Sequence, residues 1–240
     1  EISECLVGSE MCIRDRDNIT FEIPEGKVTA IVGASGSGKT TLIKLMLGYY
    51  PVSEGAIMVS GKNINEYNLK WWRRCCGVVM QDGVIFSESI ARNIAVGDSE
   101  VDIARLEQAA RIACIHDYIL SLPLKYNTKI GRDGVGLSQG QKQRILIARA
   151  VYKNPVFIFL DEATNSLDAK NEREIVENLD DFYKGRTVVV VAHRLSTVKN
   201  ADQIVVIDSG KVVEKGTHTE LIEKQGGYFN LVKNQLELGN

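Results

Sequence analysis

Gly33-Ala34-Ser35-Gly36-Ser37-Gly38-Lys39-Thr40 stands between an apolar run, Val28 to Val32, and a stretch from Thr40 to Leu47 whose apolar residues recur at helical spacing until Gly48. A strand, a glycine loop and a helix in that order can grip phosphate. Gly36 and Gly38 let the backbone curl so that successive N–H groups face phosphate oxygens, and the helix that starts at Thr40 and Thr41 presents its positive end to the same place. Lys39 adds a mobile positive charge, and the Thr40 hydroxyl is a hard oxygen ligand suited to Mg²⁺. The bland alternative is a structural glycine turn, which the strand before the loop and the helix after it argue against.

Working outward, Ile19, Phe21 and Ile23 alternate with polar residues and Pro24-Glu25-Gly26 turns the chain into the strand that feeds the loop. Residues 56–80 read as further short strands around the Gly55 and Gly61 turns. Residues 102–122 read as helix, with Ile103, Leu106, Ala110 and Ala113 on one face. Val156 to Leu160 and Val188 to Ala192 are continuous apolar runs, which suit the buried strands of a parallel sheet. With no internal repeat and no long linker, the economical reading is one α/β domain with an inserted helical lobe.

Composition sets bounds on this reading. The 240 residues can bury a substantial core, and 44% hydrophobic with 25% charged residues excludes disorder. A net charge of -2 disfavours nucleic acid as a partner. Cys5, Cys12, Cys75, Cys76 and Cys114 include no C-x-x-C pair, so neither zinc nor a disulfide framework is indicated, and a reducing cytoplasm is the simplest home. No apolar run approaches the length that spans a bilayer, so a membrane role must come from a partner or from further chain. Residues 1–16 begin without methionine, show neither periodicity, and read as a truncated or non-native segment, with the domain itself running over 17–240.

Two further motifs carry chemistry. The apolar run from Val156 ends in Asp161-Glu162: one carboxylate can hold Mg²⁺, and the other, on the opposite side of the strand, can take a proton from an attacking water. Taken alone, such a pair could equally be a strand terminated by solvated charge. Between the loop and this pair lies Leu137-Ser138-Gln139-Gly140-Gln141, followed by a helical stretch from Lys142 to Tyr152.

That last motif, about twenty residues before Asp161-Glu162, resembles the signature sequence of ATP-binding cassette (ABC) proteins, and the resemblance runs from about Asn18 to the C-terminus. It implies a P-loop NTPase (RecA-like) core with a mainly parallel sheet, an antiparallel β lobe and a helical lobe over about 83–150. It implies ATP and Mg²⁺ as ligands, and head-to-tail pairing of two such domains, so that Ser138, Gln139, Gly140 and Gln141 of one copy close over ATP in the other's loop. Asp168 would lie at the same interface. Gln81, after Val78-Val79-Met80, resembles the glutamine that reaches Mg²⁺ and the attacking water, and His193, after Val188 to Ala192, resembles the switch histidine on the γ-phosphate. Glu162 would be the general base, with Thr40, Gln81 and Asp161 around the metal. Phe86 to Ile94 and Ala192 to Thr197 resemble the exporter branch, closest in spelling to bacterial peptide exporters that also carry a leader-cutting protease domain. That implies a membrane-spanning domain on the same polypeptide and a place on the cytoplasmic face of the bacterial inner membrane. Two rivals are a soluble ABC ATPase acting on nucleic acid or ribosomes, whose coiled-coil insertions or paired cassettes are not seen here, and a regulatory module without turnover.

The sequence departs from the family pattern at three places. Gln139 replaces a glycine but keeps Gly140, so activity is expected to survive; Arg132 replaces an acid in the loop that touches the membrane domain, so partner contacts are expected to differ in charge. No aromatic precedes Phe21, where the family has a residue stacked on adenine. ATP should therefore bind about 1–3 kcal/mol more weakly than to a relative with that aromatic. Titration of both with a fluorescent ATP analogue measures the difference.

Overall fold

The computed structural model describes residues 11–13, 19–163, 169–192 and 198–238. The chain divides into two compact units, one of Glu1–Cys76, Val156–Asp161 and Gly185–Asn240, the other of Gly77–Pro155 and Glu162–Lys184.

The first unit contains β1 (Met11–Ile13), β2 (Phe21–Ile23), β3 (Val28–Val32), α1 (Lys39–Met46), β4 (Ile57–Val59), β5 (Lys62–Asn63) and α2 (Leu69–Cys75). Its later elements are β7 (Phe157–Asp161), β8 (Thr187–Val191), β9 (Gln203–Asp208), β10 (Lys211–Gly216), α8 (His218–Lys224) and α9 (Gly227–Leu238). Strands β10-β9-β3-β8-β7 lie side by side, with β3 parallel to both β8 and β9, β7 parallel to β8, and only β10 antiparallel. The sequences explain the burial: VTAIV, FIFLD and TVVVV are rich in β-branched and aromatic residues, and β7 and β8 are buried at every residue, as strands covered on both faces must be. The edge strand β10 instead reads KVVEKG and is partly exposed along its length.

A small antiparallel sheet in the order β2-β1-β4-β5 sits in the same unit. The Gln203 side-chain amide of β9 donates to the Glu22 carbonyl of β2 at 2.8 Å, and Asp202 accepts from the Val28 N–H at 2.8 Å, fixing where β3 starts. Periodicity assigned no strand within residues 1–16, yet Met11–Ile13 pairs with both β2 and β4. Three residues are too few to show alternation, and partners on both sides supply the order.

Residues 56–80 also differ from the all-strand reading, because Leu69–Cys75 is a helix. Its start is set by the Asn68 side chain, which accepts from the N–H groups of Lys70 and Trp71 at 2.9 and 3.2 Å. Trp72, fully buried, donates its indole N–H to the Met46 carbonyl at 2.9 Å and packs on Phe157 at 5.0 Å between ring centroids. Trp71 is half-buried and stacks on Tyr67.

The second unit begins within β6 (Cys76–Val79) and holds α3 (Ile90–Ile94), α4 (Ile103–Ile112), α5 (His116–Ser121), α6 (Gln139–Tyr152) and α7 (Ala169–Tyr183). Helix α6 packs against α3 and α4, and α4 also meets α5 and α7. The single helix read over 102–122 is two, broken at Cys114, whose φ is 50°. The Arg144 guanidinium of α6 donates to the carbonyl at that break at 2.9 Å, and burial, helped by the charge of Glu174, pushes the Cys114 thiol up to about 11. Among the described residues no helix is long and apolar enough to cross a membrane.

The two tryptophans should separate sharply. Trp72→Ala removes a buried ring and a carbonyl's donor and should cost about 3–5 kcal/mol, whereas Trp71→Ala should cost about 1 kcal/mol. Urea unfolding of the two variants measures both.

Candidate functional site

The glycine loop leaves the carboxyl end of β3, where ligands bind to parallel sheets. Gly36 and Gly38 have φ of 79° and 101°, and Gly38 serves as N-cap of α1 through its backbone alone. Gly33 is required for another reason: a Cβ there would run into the Ile207 carbonyl of β9. The turn after β9 supports the loop as well, since the Gly210 N–H donates to the Ser37 carbonyl at 3.3 Å. The Lys39 ammonium lies on its own loop, donating to the Gly33 carbonyl at 3.0 Å, the Ala34 carbonyl at 2.7 Å and Ser37 Oγ at 3.4 Å. Ala34, Ser35, Gly36 and Thr41 are exposed and Thr40 half-buried, so one rim of the loop faces solvent.

Strand register brings Asp161 to the same edge. Asp161 is level with Val191 of β8, Val191 is level with Ile31 of β3, and Val32, one residue on, is level with Val206 of β9. Asp161 ends β7 with its side chain fully buried. Among the described residues no group of three or more His, Cys, Asp or Glu could hold a metal ion. A cation here would draw on isolated hard oxygens such as Thr40 and Asp161, with phosphate and water completing its shell. That donor set fits Mg²⁺, which binds few protein ligands and keeps water.

The remaining described candidates belong to the second unit. Glu162 does not continue the strand: its φ is 53°, a left-handed conformation costly for a residue with a side chain, so a turn rather than strand alternation sets its direction. Gln81 is exposed in a turn after β6, closed by the Gly83 N–H to the Met80 carbonyl at 3.2 Å. Ser138 caps α6, accepting from the Gln141 N–H at 3.2 Å while Gln141 Oε1 accepts from the Ser138 N–H at 2.8 Å. Ser138 and Gln139 are exposed, and Gly140 is half-buried with its carbonyl accepting from Arg144 Nε at 3.4 Å. Beside this cap a cleft of about 330 Å³ is lined by Gly83, Ile85, Gly131, Arg132, Gly136, Leu137 and Lys142. Arg132 therefore shares a surface with the segment that follows Gln81. Val84 and Phe86 are 61% and 46% exposed on that segment.

The structure thus gathers Gly33 to Thr41 and Asp161 on one sheet edge, and the Gly83–Ile85 segment and Arg132 around one cleft with Leu137 and Lys142, the residues on either side of Ser138 to Gln141. Asp168 and His193 lie outside the described residues. Sequence reasoning missed the support that Ile207 and Gly210 give the loop, which no local pattern announces. It also missed the capping box inside the signature, for which S-x-x-Q before a helix was the available signal.

A family model described as ABC transporter matches residues 16–165. The chain is 45% identical over 219 residues to the ATP-dependent lipid A-core flippase of Saccharophagus degradans, covering 91% of this chain and 37% of that protein. It is likewise 45% identical over 222 residues to the leukotoxin translocation ATP-binding protein LktB of Mannheimia haemolytica, covering 92% of this chain and 31% of that protein. The chain therefore spans about a third of the length of these curated relatives. Among solved structures, a bacterial Atm1-family ABC exporter with ATP bound matches 96% of the chain and 43% of its own, at a TM-score of 0.90 and 36% identity. With the glycine loop and the buried Asp161 at one edge of a parallel sheet and the signature capping its helix, the chain belongs to the ABC transporter family.

Proposed function

We propose that this chain is the ATP-binding and ATP-hydrolysing domain of a bacterial exporter, a single nucleotide-binding domain over residues 17–240. The observation that carries the reading is the shared carboxyl edge: the Gly33–Thr40 loop and Asp161 end parallel strands at one level. Loop N–H groups and Lys39 would hold the β- and γ-phosphates of ATP, with Lys39 turning from the loop carbonyls it now engages. Thr40, Gln81 and Asp161 would hold Mg²⁺, which when bound neutralises charge on the phosphates. Glu162 would take the proton of the attacking water, while Gln81 and His193 orient that water and the γ-phosphate.

Ser138 and Gly140 would act on ATP held by a second copy, with Asp168 at the same interface, so that ATP draws two domains together. Capping leaves Ser138 exposed at the start of α6, as such a role demands. The work of closure would pass to a membrane-spanning domain of the same full-length polypeptide, docked on the cleft near Gln81 and Arg132. The domain would then lie on the cytoplasmic face of the inner membrane. The spelling of Phe86 to Ile94 and Ala192 to Thr197 favours a peptide cargo. The equally similar flippase and leukotoxin relatives differ in cargo by name, so cargo choice would reside outside the shared domain. An ATPase acting on nucleic acid fits less well with the net charge of -2.

Glu162→Gln should lower steady-state ATP turnover by roughly 10² to 10⁴ and leave ATP binding intact. Turnover near the wild-type rate would remove Glu162 from the role of base. The assay is phosphate release at saturating ATP and Mg²⁺, alongside equilibrium binding of a fluorescent ATP analogue.

A further inference from the structure

The segment from Gly83 to Ser89 has almost no regular structure of its own, yet it carries the exposed Val84 and Phe86. Two side chains from outside the segment hold its backbone. Asn93 of α3, fully buried, accepts from the Phe86 N–H at 2.8 Å and donates from Nδ2 to the carbonyls of Phe86 at 3.0 Å and Ser89 at 3.1 Å. Arg149 of α6 donates from Nε to the Asn93 carbonyl at 2.7 Å, from Nη1 to the Val84 carbonyl at 3.0 Å and from Nη2 to Asn93 Oδ1 at 3.3 Å. Its guanidinium also lies 5.2 Å from the centroid of the Phe86 ring. Burial pushes this guanidinium down to about 10, so it remains charged at neutral pH.

The chemistry explains the choice of residue. Three acceptors on two elements call for a planar fork of fixed geometry, which arginine has and lysine lacks. Helix α6, which carries the fork near its end, starts at the Ser138 cap; its 14 residues span about 21 Å. The signature and the Val84–Phe86 surface are thus attached to one rigid rod, the first by a cap and the second by Arg149.

We propose that Arg149 is the positioning residue of the partner-facing segment 84–89, locking it through Asn93 onto the helix that begins at the signature. The inference rests on the reading above that this surface receives a membrane-spanning partner. Its consequence is that the docking surface follows α6: whatever moves Ser138 carries Val84 and Phe86 with it.

Hydrogen exchange of the nucleotide-free 240-residue chain, resolved to the Phe86 amide, tests the lock. Arg149→Lys keeps the charge and loses the fork, and it should speed exchange at Phe86 roughly tenfold or more while the amides of α4 keep their wild-type rates. Asn93→Ala should act on the same amide. The double variant should fall short of the product of the two single effects, because both remove one lock. Unchanged exchange at Phe86 in Arg149→Lys overturns the proposal, as does equal acceleration across α4, which would make Arg149 a general stabiliser of the unit. A double variant whose effect equals the product also overturns it. Titration of the wild-type chain with a fluorescent ATP analogue keeps the two readings apart: failure to bind ATP would undo the proposed function and leave the exchange result standing.

Discussion

The close approach of Gly33 to the Ile207 carbonyl is the constraint on which the nucleotide edge depends. Parallel strands can place a loop and a carboxylate side by side only if they end at one level, and here side-chain bonds fix that level. Asp202 receives the Val28 N–H and so sets the start of β3 beside β9, and Thr187 Oγ1 receives the Gly26 N–H at 3.0 Å beside β8. Once β3 is held between β9 and β8, Val32 meets Val206, and Gly33 must fold over the end of β9 with no room for a side chain. The direction of the loop, the position of Lys39 and the start of α1 follow from that fold-over.

Much of this was legible in the sequence because the signals are local. A run rich in β-branched residues, glycines at fixed offsets and a helical period after them identify β3, the loop and α1 without reference to anything distant. Asp161 was readable for the same reason, as the first charge after four apolar residues of a buried strand. Features that depend on distant partners were hidden. Met11–Ile13 is a strand because β2 and β4 flank it, and Arg149 serves a loop 65 residues before it, a relation no window of sequence contains. Residues 102–122 failed for a different reason: apolar spacing continues across the break, whereas a single positive φ at Cys114 divides the helix. The α2 helix was obscured by short neighbouring strands, although Asn68 marks its start.

The second unit relies on side chains where the first relies on strand pairing. Its loops are closed by Arg144 on the Cys114 carbonyl, by Asn178 on the Ile112 carbonyl at 3.3 Å, and by Tyr152, whose hydroxyl donates to Asp98 at 3.0 Å and accepts from the Asp102 N–H at 3.1 Å. The bonds of Arg144 and Tyr152 cross from a helix to a loop, and that of Asn178 joins α7 to the end of α4. Such a unit can present exposed apolar residues on irregular backbone without surrendering order, because the polar groups of that backbone are already satisfied.

The hydrogen bond from Gly210 to Ser37, with the seat of Gly33 on β9, also bears on how the chain acquires its fold. The loop motif is synthesised well before the strand it folds over. The Val28 to Asp202 bond alone joins residues 174 positions apart. A nascent chain that has only reached the signature helix therefore carries the motif in spelling and lacks the mould for its shape. Such long-range closure slows folding and keeps the parallel strands exposed while they wait for β9. Competence to hold a nucleotide therefore waits for β9, so a chain arrested before that strand would be inert and would not compete for its ligand.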